Sequence, residues 1–298
     1  MSSDLPHNPP AGRPIPFRKM NGLGNDFVVL DARSRPLALT PADIRAIANR
    51  DTGVGCDQLI VLEPARHDGD VFMGIHNADG AEVEACGNAA RCVGKLLMEE
   101  TGKSRIMIET LGGDTIAMPG PDALITVDMG VPRLKWNEIP LSEEIPDTRG
   151  IELQIGPINQ PILHTPAVVN MGNPHAIFFV AGDPMDYDLA KIGPMLEHHP
   201  MFPERANISL ARIDAPDHIT LRTWERGAGL TQACGTAACA AAVAAHRKRL
   251  TGRSVTVTLP GGDLTIDWRD ADDHVLMTGP ALLDYEADLD PNLIGATS

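Results

Sequence analysis

The sequence predicts a mixed α/β (α+β) fold of two pseudo-symmetric domains, each with a sheet wrapped around a central helix. Three observations support this: the sequence repeats internally, each half alternates strand patterns with a long helix, and the second long helix is apolar on nearly every side. A helix without a polar face has to be surrounded by other elements. Its alanine side chains would let strands approach closely.

Composition limits the possible partners and location. The 298 residues are 43% hydrophobic and 22% charged, enough for one large domain or two of ordinary size. The net charge of −15 makes nucleic acid and anionic membranes poor partners. No apolar run approaches the roughly 18 residues that span a bilayer. Residues 1–14 lack the apolar stretch of a secretory signal, so we expect a disordered extension and a cytoplasmic protein.

The repeat relates the halves by a single offset of 148 positions. The matched pairs are Gly24-Asn25 with Gly172-Asn173, Asn77 with Glu225, and Ala85-Cys86-Gly87 with Ala233-Cys234-Gly235. Such self-similarity predicts duplicated structural units. We therefore expect one half at 15–132 carrying Cys86 and another at 133–278 carrying Cys234. A C-terminal segment at 279–298 would pack back on the first half.

Elements of the first half follow from periodicity and end signals. A helix should begin after Thr40 as N-cap, with Pro41 in its first turn, and run to about Asn49. A second helix should run from Gly87 to about Thr101, with Gly102 as its stop. The predicted strands are 27–30, 71–75, and a hairpin of 105–110 with 115–118.

The second half repeats this plan. Its long helix should run from Gly235 to about Leu250 and stop near Gly252. The predicted strands are 176–180, 219–223, and a hairpin of 254–259 with 264–268.

Five cysteines are present, an odd number, and none forms a C-x-x-C pair. These spacings argue against a disulfide framework and against a structural zinc site. Cys92 and Cys239 fall inside predicted helices, where a buried thiol behaves as a small hydrophobe. Cys56 is given no role either.

Cys86 and Cys234 each stand immediately before a predicted helix. A helix N-terminus presents unpaired N–H groups and a positive dipole end, which lowers a thiol pKa. The same N–H groups bind anions such as carboxylates. We expect the backbone N–H groups of Gly87, Asn88, Gly235 and Thr236 to bind a carboxylate in this way.

Two such thiols facing one small cavity would suit inversion of a carbon stereocentre. One thiolate removes the α-proton, and a thiol on the opposite face returns one. Helix N–H groups around the substrate carboxylate would stabilise the carbanion. This chemistry needs no cofactor and no metal, so we expect neither.

Further polar residues are candidates for recognition. Glu225 could hold an ammonium group, Arg226 a second carboxylate, and His175 could hydrogen-bond a thiol and tune its pKa. The remaining candidates, which offer amide donors and acceptors, are Asn25, Gln58, Asn77, Asn173 and Asn207.

Several motifs together resemble the diaminopimelate epimerase family. They are Lys19–Phe27 (KMNGLGNDF), Gly53–Gln58 (GVGCDQ), Asn77–Gly80 (NADG), Cys86–Cys92 (CGNAARC), Met171–His175 (MGNPH), Glu225–Gly229 (ERGAG) and Thr231–Thr236 (TQACGT). The resemblance extends from Phe17 to about Tyr285.

The resemblance implies a pyridoxal-independent enzyme that converts LL-2,6-diaminoheptanedioate to the meso isomer, for lysine and peptidoglycan precursors. It implies a diaminopimelate epimerase-like fold, closure on a small substrate with two amino-acid ends, and a homodimer. Cys86 and Cys234 would be the acid/base pair, assisted by His175 and Glu225. Substrate contacts are implied for Asn25, Gln58, Asn77, Gly87, Asn88, Asn173, Asn207, Glu225, Arg226, Gly235 and Thr236.

The chain departs from the family pattern at a few positions. Family members often have His at Asn21, Ser at Ala81, Glu at Leu230, and Ser-Gly at Thr236-Ala237. None of these departures touches a thiol. Two alternatives stay open: an enzyme similar to proline or hydroxyproline racemases, and, from another class, a thiol redox or metal-binding protein.

Overall fold

The computed structural model describes residues 14–295, so all of the predicted N-terminal extension except Pro14 lies outside the described residues. The chain forms two compact units. One ends at Val127 and resumes at Pro280; the other is Asp128–Gly279. The boundary precedes the expected one at 132/133 because Asp128 is held by second-unit residues: His274 Nδ1 lies 2.8 Å from its carboxylate, and Arg269 lies 3.5 Å away.

The first unit contains two helices, α1 (Pro41–Ala48) and α2 (Gly87–Thr101). Its strands up to the boundary are β1 (Pro16–Gly22), β2 (Asn25–Asp31), β3 (Gln58–Glu63), β4 (Val71–Asn77), β5 (Ile106–Glu109), β6 (Thr115–Pro119) and β7 (Ile125–Asp128), of which the last residue, Asp128, belongs to the second unit.

The second unit also contains two helices, α3 (Leu189–Glu197) and α4 (Gly235–Arg247). Its strands are β8 (Gln154–Ile155), β9 (Leu163–His164), β10 (Ala167–Asn170), β11 (Pro174–Phe179), β12 (Asn207–Ala215), β13 (His218–Glu225), β14 (Gly229–Leu230), β15 (Ser254–Leu259), β16 (Gly262–Trp268) and β17 (Val275–Gly279). The chain then returns to the first unit as β18 (Leu282–Asp288), which pairs antiparallel with β1.

The two units have matching strand connectivity. In the first unit β1–β2 is antiparallel, β2–β3 parallel, β3–β4 antiparallel, β4–β5 parallel and β5–β6 antiparallel. In the second, β10–β11, β11–β12, β12–β13, β13–β15 and β15–β16 follow the same sequence of directions. The mixed α/β fold predicted from the repeat is therefore confirmed.

Each sheet covers a helix. In the first unit α2 packs against β1, β5 and β6. In the second, α4 packs against β10, β11 and β16, among other strands, and Ala237–Ala245 is buried throughout. The apolar composition of α4 thus has the cause predicted for it, which is contact with strands on several sides. Within residues 14–295, no helix is long and apolar enough to cross a membrane.

The helix ends can be compared with those predicted from the sequence. The Thr40 side chain accepts from the backbone of Asp43, whose carboxylate accepts in return, so the predicted N-cap is a full capping box. Gly102 ends α2 in the left-handed region at φ 71°, as predicted. The predicted end of α4 near Leu250 is wrong: the helix ends at Arg247, because Arg249 takes a left-handed conformation at φ 61° before Gly252 is reached.

Candidate active site

In the first unit, polar side chains collect where three adjacent strands begin or end. Asn25 starts β2, Gln58 starts the parallel strand β3, and Asn77 ends the antiparallel strand β4 directly opposite Gln58. Gln58 Nε2 donates to Asn77 Oδ1 at 3.0 Å. The other amide atom, Gln58 Oε1, is buried and has no hydrogen-bond partner among residues 14–295. It is available as an acceptor for a ligand.

Cys86 lies beside this edge as the N-cap of α2, in extended conformation. Its Sγ donates to Asn25 Oδ1 at 3.9 Å, and Asn88 Nδ2 donates to the same oxygen at 3.5 Å. The Cys86 side chain does not cap the first turn of α2, which begins with Gly87 and Asn88. We call Cys86, Asn25, Gln58, Asn77, Gly87 and Asn88 the first-unit cluster.

A charged network orients Asn25. Asn25 Nδ2 donates to Asp57 Oδ2 at 3.1 Å, and Arg50 donates to the other Asp57 oxygen at 2.8 Å. Arg50 also bridges to Asp26, which binds Lys19 at 2.6 Å. Burial alone would raise the pKa of Asp26, but hydrogen bonds from Arg50 and Lys19 hold it below its ordinary value.

The second unit places an equivalent edge at β11, β12 and β13. His175 lies in β11 opposite Asn207, the first residue of the parallel strand β12, and Glu225 ends β13. His175 Nε2 lies 2.7 Å from Asn173 Oδ1. Its Nδ1 is buried without a hydrogen-bond partner in the described part of the chain. Burial, reinforced by Arg226, lowers the pKa of His175 to about 3, so the imidazole is neutral near pH 7.

Cys234 is the N-cap of α4 and is almost wholly buried. Its thiol donates to the Glu225 carboxylate, while the Thr236 hydroxyl lies 3.5 Å from Sγ. Thr231 Oγ1 donates to Glu225 Oε1. We call Cys234, Glu225, His175, Asn173, Asn207, Arg226, Gly235 and Thr236 the second-unit cluster.

The expectation of a lowered thiol pKa is wrong for Cys234. Burial raises the pKa of Cys234 well above its ordinary value, and the negative Glu225 raises it further. Hydrogen bonds from Thr236 and the Ala237 N–H oppose these effects only partly. Burial likewise raises the pKa of Glu225. At neutral pH Cys234 is therefore a thiol, that is, a proton donor.

Asn207 and Arg226 also carry structural contacts. Asn207 Nδ2 donates to the Pro174 carbonyl at 3.1 Å, and its Oδ1 accepts from the Arg226 backbone at 2.8 Å. The Arg226 side chain is bound to the Glu204 carbonyl at 2.9 Å. Glu197 steadies the same turn by accepting from Trp224 Nε1 at 2.7 Å and from the Gly227 backbone at 3.1 Å.

Two further participants were not predicted. Asp57 and Thr231 both lie in the family motifs, and the motifs alone indicate no function for either side chain; the structure shows Asp57 bound to Asn25 and Thr231 bound to Glu225. The pairing of Glu225 with Gly229 across a tight turn is what brings Thr231 back to the carboxylate. The predicted contact of His175 is also different, since its Nε2 binds Asn173 and the Cys234 thiol binds Glu225.

Comparison with known proteins decides the family. The family model described as diaminopimelate epimerase matches residues 17–135 and 167–283. Diaminopimelate epimerase of a Bradyrhizobium species (strain BTAi1) is 57% identical over 285 residues, covering 95% of this chain and 97% of the relative. That of Rhodopseudomonas palustris (strain HaA2) is 58% identical over 283 residues, covering 94% and 95%.

This chain belongs to the diaminopimelate epimerase family. The family resemblance drawn from the sequence motifs is thereby confirmed, and with it an isomerase class of enzyme. Of the departures from the family pattern, Asn21 accepts from the Gly24 backbone at 3.0 Å and fixes the turn before Asn25. Leu230 is exposed and lies in β14, where it pairs with Trp224 of β13.

Solved structures share the fold of this family at low sequence identity. A hydroxyproline epimerase from Agrobacterium vitis aligns with a TM-score of 0.67 at 16% identity, covering 94% of both chains. A probable proline racemase from Agrobacterium radiobacter K84 aligns with a TM-score of 0.63 at 17% identity, covering 94% of this chain and 95% of the other. At these identities the likeness extends to the fold alone.

Proposed function

We propose that this protein epimerises LL-2,6-diaminoheptanedioate to the meso isomer, as part of lysine and peptidoglycan precursor synthesis. The observation that carries the proposal is the placement of Cys86 and Cys234. Each is the N-cap of the long helix in its unit, beside an edge of polar strand-end residues. Membership of the diaminopimelate epimerase family supplies the substrate class.

We assign the chemistry to these two thiols acting on the same α-carbon. One sulfur, as thiolate, takes the α-proton, and the other, as thiol, delivers its proton to the opposite face. Cys234 is protonated in the resting enzyme and so serves first as the acid. Delivering that proton leaves Cys234 as a thiolate, while Cys86 holds the proton that it removed, which is the pair that the reverse reaction needs. Glu225, which accepts the hydrogen bond of the Cys234 thiol, holds this sulfur in place.

Recognition in this proposal uses polar groups of both clusters. The first-turn N–H groups at Gly87 and Asn88, and at Gly235 and Thr236, would bind the carboxylate at the reacting carbon. Gln58 Oε1 and His175 Nδ1, both buried acceptors, suit ammonium N–H groups. Asn25, Asn77, Asn173, Asn207 and Arg226 complete the set proposed to contact substrate.

The first test measures epimerisation and α-proton exchange in heavy water for Cys86→Ala and Cys234→Ala. We expect each substitution to reduce turnover by several orders of magnitude, since the acid or the base is lost. Cys92→Ala and Cys239→Ala are matched controls, because these buried cysteines lie in the same two helices. Full turnover by either Cys86→Ala or Cys234→Ala would contradict the two-thiol mechanism.

A second candidate function is racemisation of proline or hydroxyproline, because solved proteins of those names share the fold. Turnover of diaminoheptanedioate and of proline by the same preparation separates the two. A thiol redox or metal-binding role would appear instead as bound metal or a disulfide required for activity. None of the five cysteines forms a disulfide bond in the structure, and residues 14–295 contain no group of three metal-ligating side chains.

We further propose a cytoplasmic homodimer that acts on a small molecule and does not bind nucleic acid. The net charge of −15 opposes binding to polyanions. Two working thiols need a reducing compartment, which supports the cytoplasm.

A further inference from the structure

The C-terminal end of α4 presents a concentration of positive charge. Arg149, Arg247, Lys248 and Arg249 line a cavity of about 470 Å³ in the second unit. Cys234 begins this helix and Arg247 ends it, so the cavity lies at the end of α4 remote from the thiol. Four cations around one cavity stand out in a chain whose net charge is −15.

These cations are not needed to cap the helix. The last carbonyls of a helix commonly attract basic side chains. Here the backbone satisfies them: the N–H groups of Lys248, Arg249 and Leu250 donate to the carbonyls of Ala244, His246 and Ala245. The helix carbonyls therefore do not require the charged groups of Arg247, Lys248 and Arg249, and these groups can interact with a ligand.

Nearby acidic groups balance only part of this charge. Asp147 is engaged by Arg149, which donates to it through Nε and Nη2 at 2.8 to 3.1 Å. Lys248 Nζ donates to the Arg149 carbonyl at 3.0 Å, which places the ammonium group next to that pair.

Arg247 supplies an unsatisfied donor at this place. Its Nη2 donates to Thr148 Oγ1 at 3.0 Å, but its Nη1 is buried and has no hydrogen-bond partner among residues 14–295. A buried charged donor without an acceptor is costly. Burial also lowers the pKa of Arg247; the nearby Asp147 carboxylate opposes this effect and the positive Arg149 adds to it.

We propose that this cavity is a second ligand site, which binds a free phosphate compound with two linked phosphate groups. A guanidinium fork matches the oxygens of a phosphate, and Lys and Arg together neutralise more than one negative charge. The volume far exceeds the roughly 30 Å³ of a water molecule, which leaves room for two phosphates. The site is independent of the epimerase chemistry and uses none of its residues.

The test titrates inorganic pyrophosphate and inorganic phosphate into the full-length protein by calorimetry. The pocket variant is Lys248→Met/Arg249→Gln. The control is Lys135→Met/Lys191→Met, which removes the same charge from exposed positions of the same unit. We expect pyrophosphate to bind the parent more tightly than phosphate. The pocket variant should bind pyrophosphate at least about tenfold more weakly, and the control should bind it like the parent.

Any of three results would overturn the proposal: no pyrophosphate binding by the parent, equal loss in the control, or unchanged affinity in the pocket variant. The last would mean that the anion binds elsewhere, for example at the helix N-termini of the two clusters. Epimerase turnover and thermal unfolding establish that each variant is folded. If the double variant is unstable, Lys248→Met alone keeps Arg249 and tests the same expectation.

Discussion

The hydrogen bond from Asn25 to Asp57 fixes which end of the Asn25 amide faces Cys86. A carboxylate only accepts, so it must hold Nδ2, and Oδ1 is left toward the thiol. We predict that Asp57→Asn, which lets the amide turn over, lowers kcat by roughly one to two orders of magnitude. KM should change much less, since Asp57 acts through Asn25 and is a positioning residue.

Steady-state kinetics of Asp57→Asn beside Asp51→Asn check this. Asp51 is exposed and lies in the same stretch of chain, so that Asp51→Asn removes the same charge as Asp57→Asn. If both variants lower kcat equally, charge alone is responsible. If Asp57→Asn raises KM and leaves kcat unchanged, Asp57 does not position the thiol.

His175 makes stability depend on pH in a known direction. Its pKa is about 3 in the fold, below the ordinary value of 6.5, so the unfolded chain binds the extra proton first. Stability from this group is present above pH 6.5 and is lost as pH falls toward 3. We predict that the free energy of unfolding falls by up to about 1.4 kcal/mol per pH unit within this window.

Chemical denaturation between pH 6.5 and 4.5 measures that slope before most carboxylates titrate. His175→Gln, which keeps a donor for Asn173, should flatten it. His164→Gln, at an exposed histidine, should leave it as in the parent. A parent whose stability does not change over this range would refute the buried neutral imidazole.

The sequence predicts a residue's chemical role where a reactive residue type stands at a position that a second signal also indicates. Cys86 and Cys234 were located because the repeat and the helix starts agree. Asp57 and Thr231 were not, since their roles depend on contacts across the sheet edge and across a tight turn. The raised pKa of Cys234 was missed for a related reason: burial is a property of the packed unit, and it outweighs the helix dipole.

At the scale of elements, α2 lies so close to β6 that Gly94 leaves no room for a side chain. A Cβ at Gly94 would collide with the Cβ of Ala117, which is fully buried. Gly→Ala ordinarily stabilises a helix by up to about 1 kcal/mol. We predict the opposite sign here, with Gly94→Ala lowering the free energy of unfolding by roughly 1 to 3 kcal/mol through overpacking.

The double variant Gly94→Ala/Ala117→Gly is the matched control, because it returns the missing space. Denaturant unfolding of the parent, both single variants and the double variant gives the coupling between the two sites. We expect the double variant to be more stable than the sum of the single effects. Additive effects would mean that the helix and strand do not meet at these atoms.

Element ends were predictable wherever a local signal sets them. Thr40 with Pro41, and Gly102, fix their helix ends through hydrogen bonds and backbone conformation within a few residues. The end of α4 was misplaced because the sequence offers Gly252 as a stop, whereas the chain turns earlier at Arg249. A left-handed arginine leaves no signal in the sequence pattern.

At the scale of the whole molecule, the sequence shows the duplication through matched polar and cysteine residues. The structure shows in addition that the two units have the same order of parallel and antiparallel strands. The strand directions from β1 to β6 match those from β10 to β16. The return of β18 to pair with β1 has no counterpart in the repeat. Such a long-range pairing is fixed by side-chain fit between distant segments, so periodicity within either segment does not specify the register.

The proposed homodimer is argued from β18, which ends the strand order of the first unit. All of its residues are exposed, including Leu282, Leu283 and Tyr285 at 54%, 45% and 47%. An exposed apolar edge strand favours pairing with another chain, and a second copy satisfies it with two-fold symmetry. Sedimentation should give the parent twice the 31.9 kDa of one chain.

Leu283→Glu should shift the protein toward the monomer, because a charge directly in the contact must be desolvated. Leu111→Glu is the control, since Leu111 is similarly exposed in the first unit and lies outside β18. Dissociation by both substitutions would show that added charge, not β18, is the cause. A parent that stays monomeric at micromolar concentration would contradict the dimer itself, and β18 would then have to be kept from edge pairing by its charged residues, Asp284, Glu286 and Asp288.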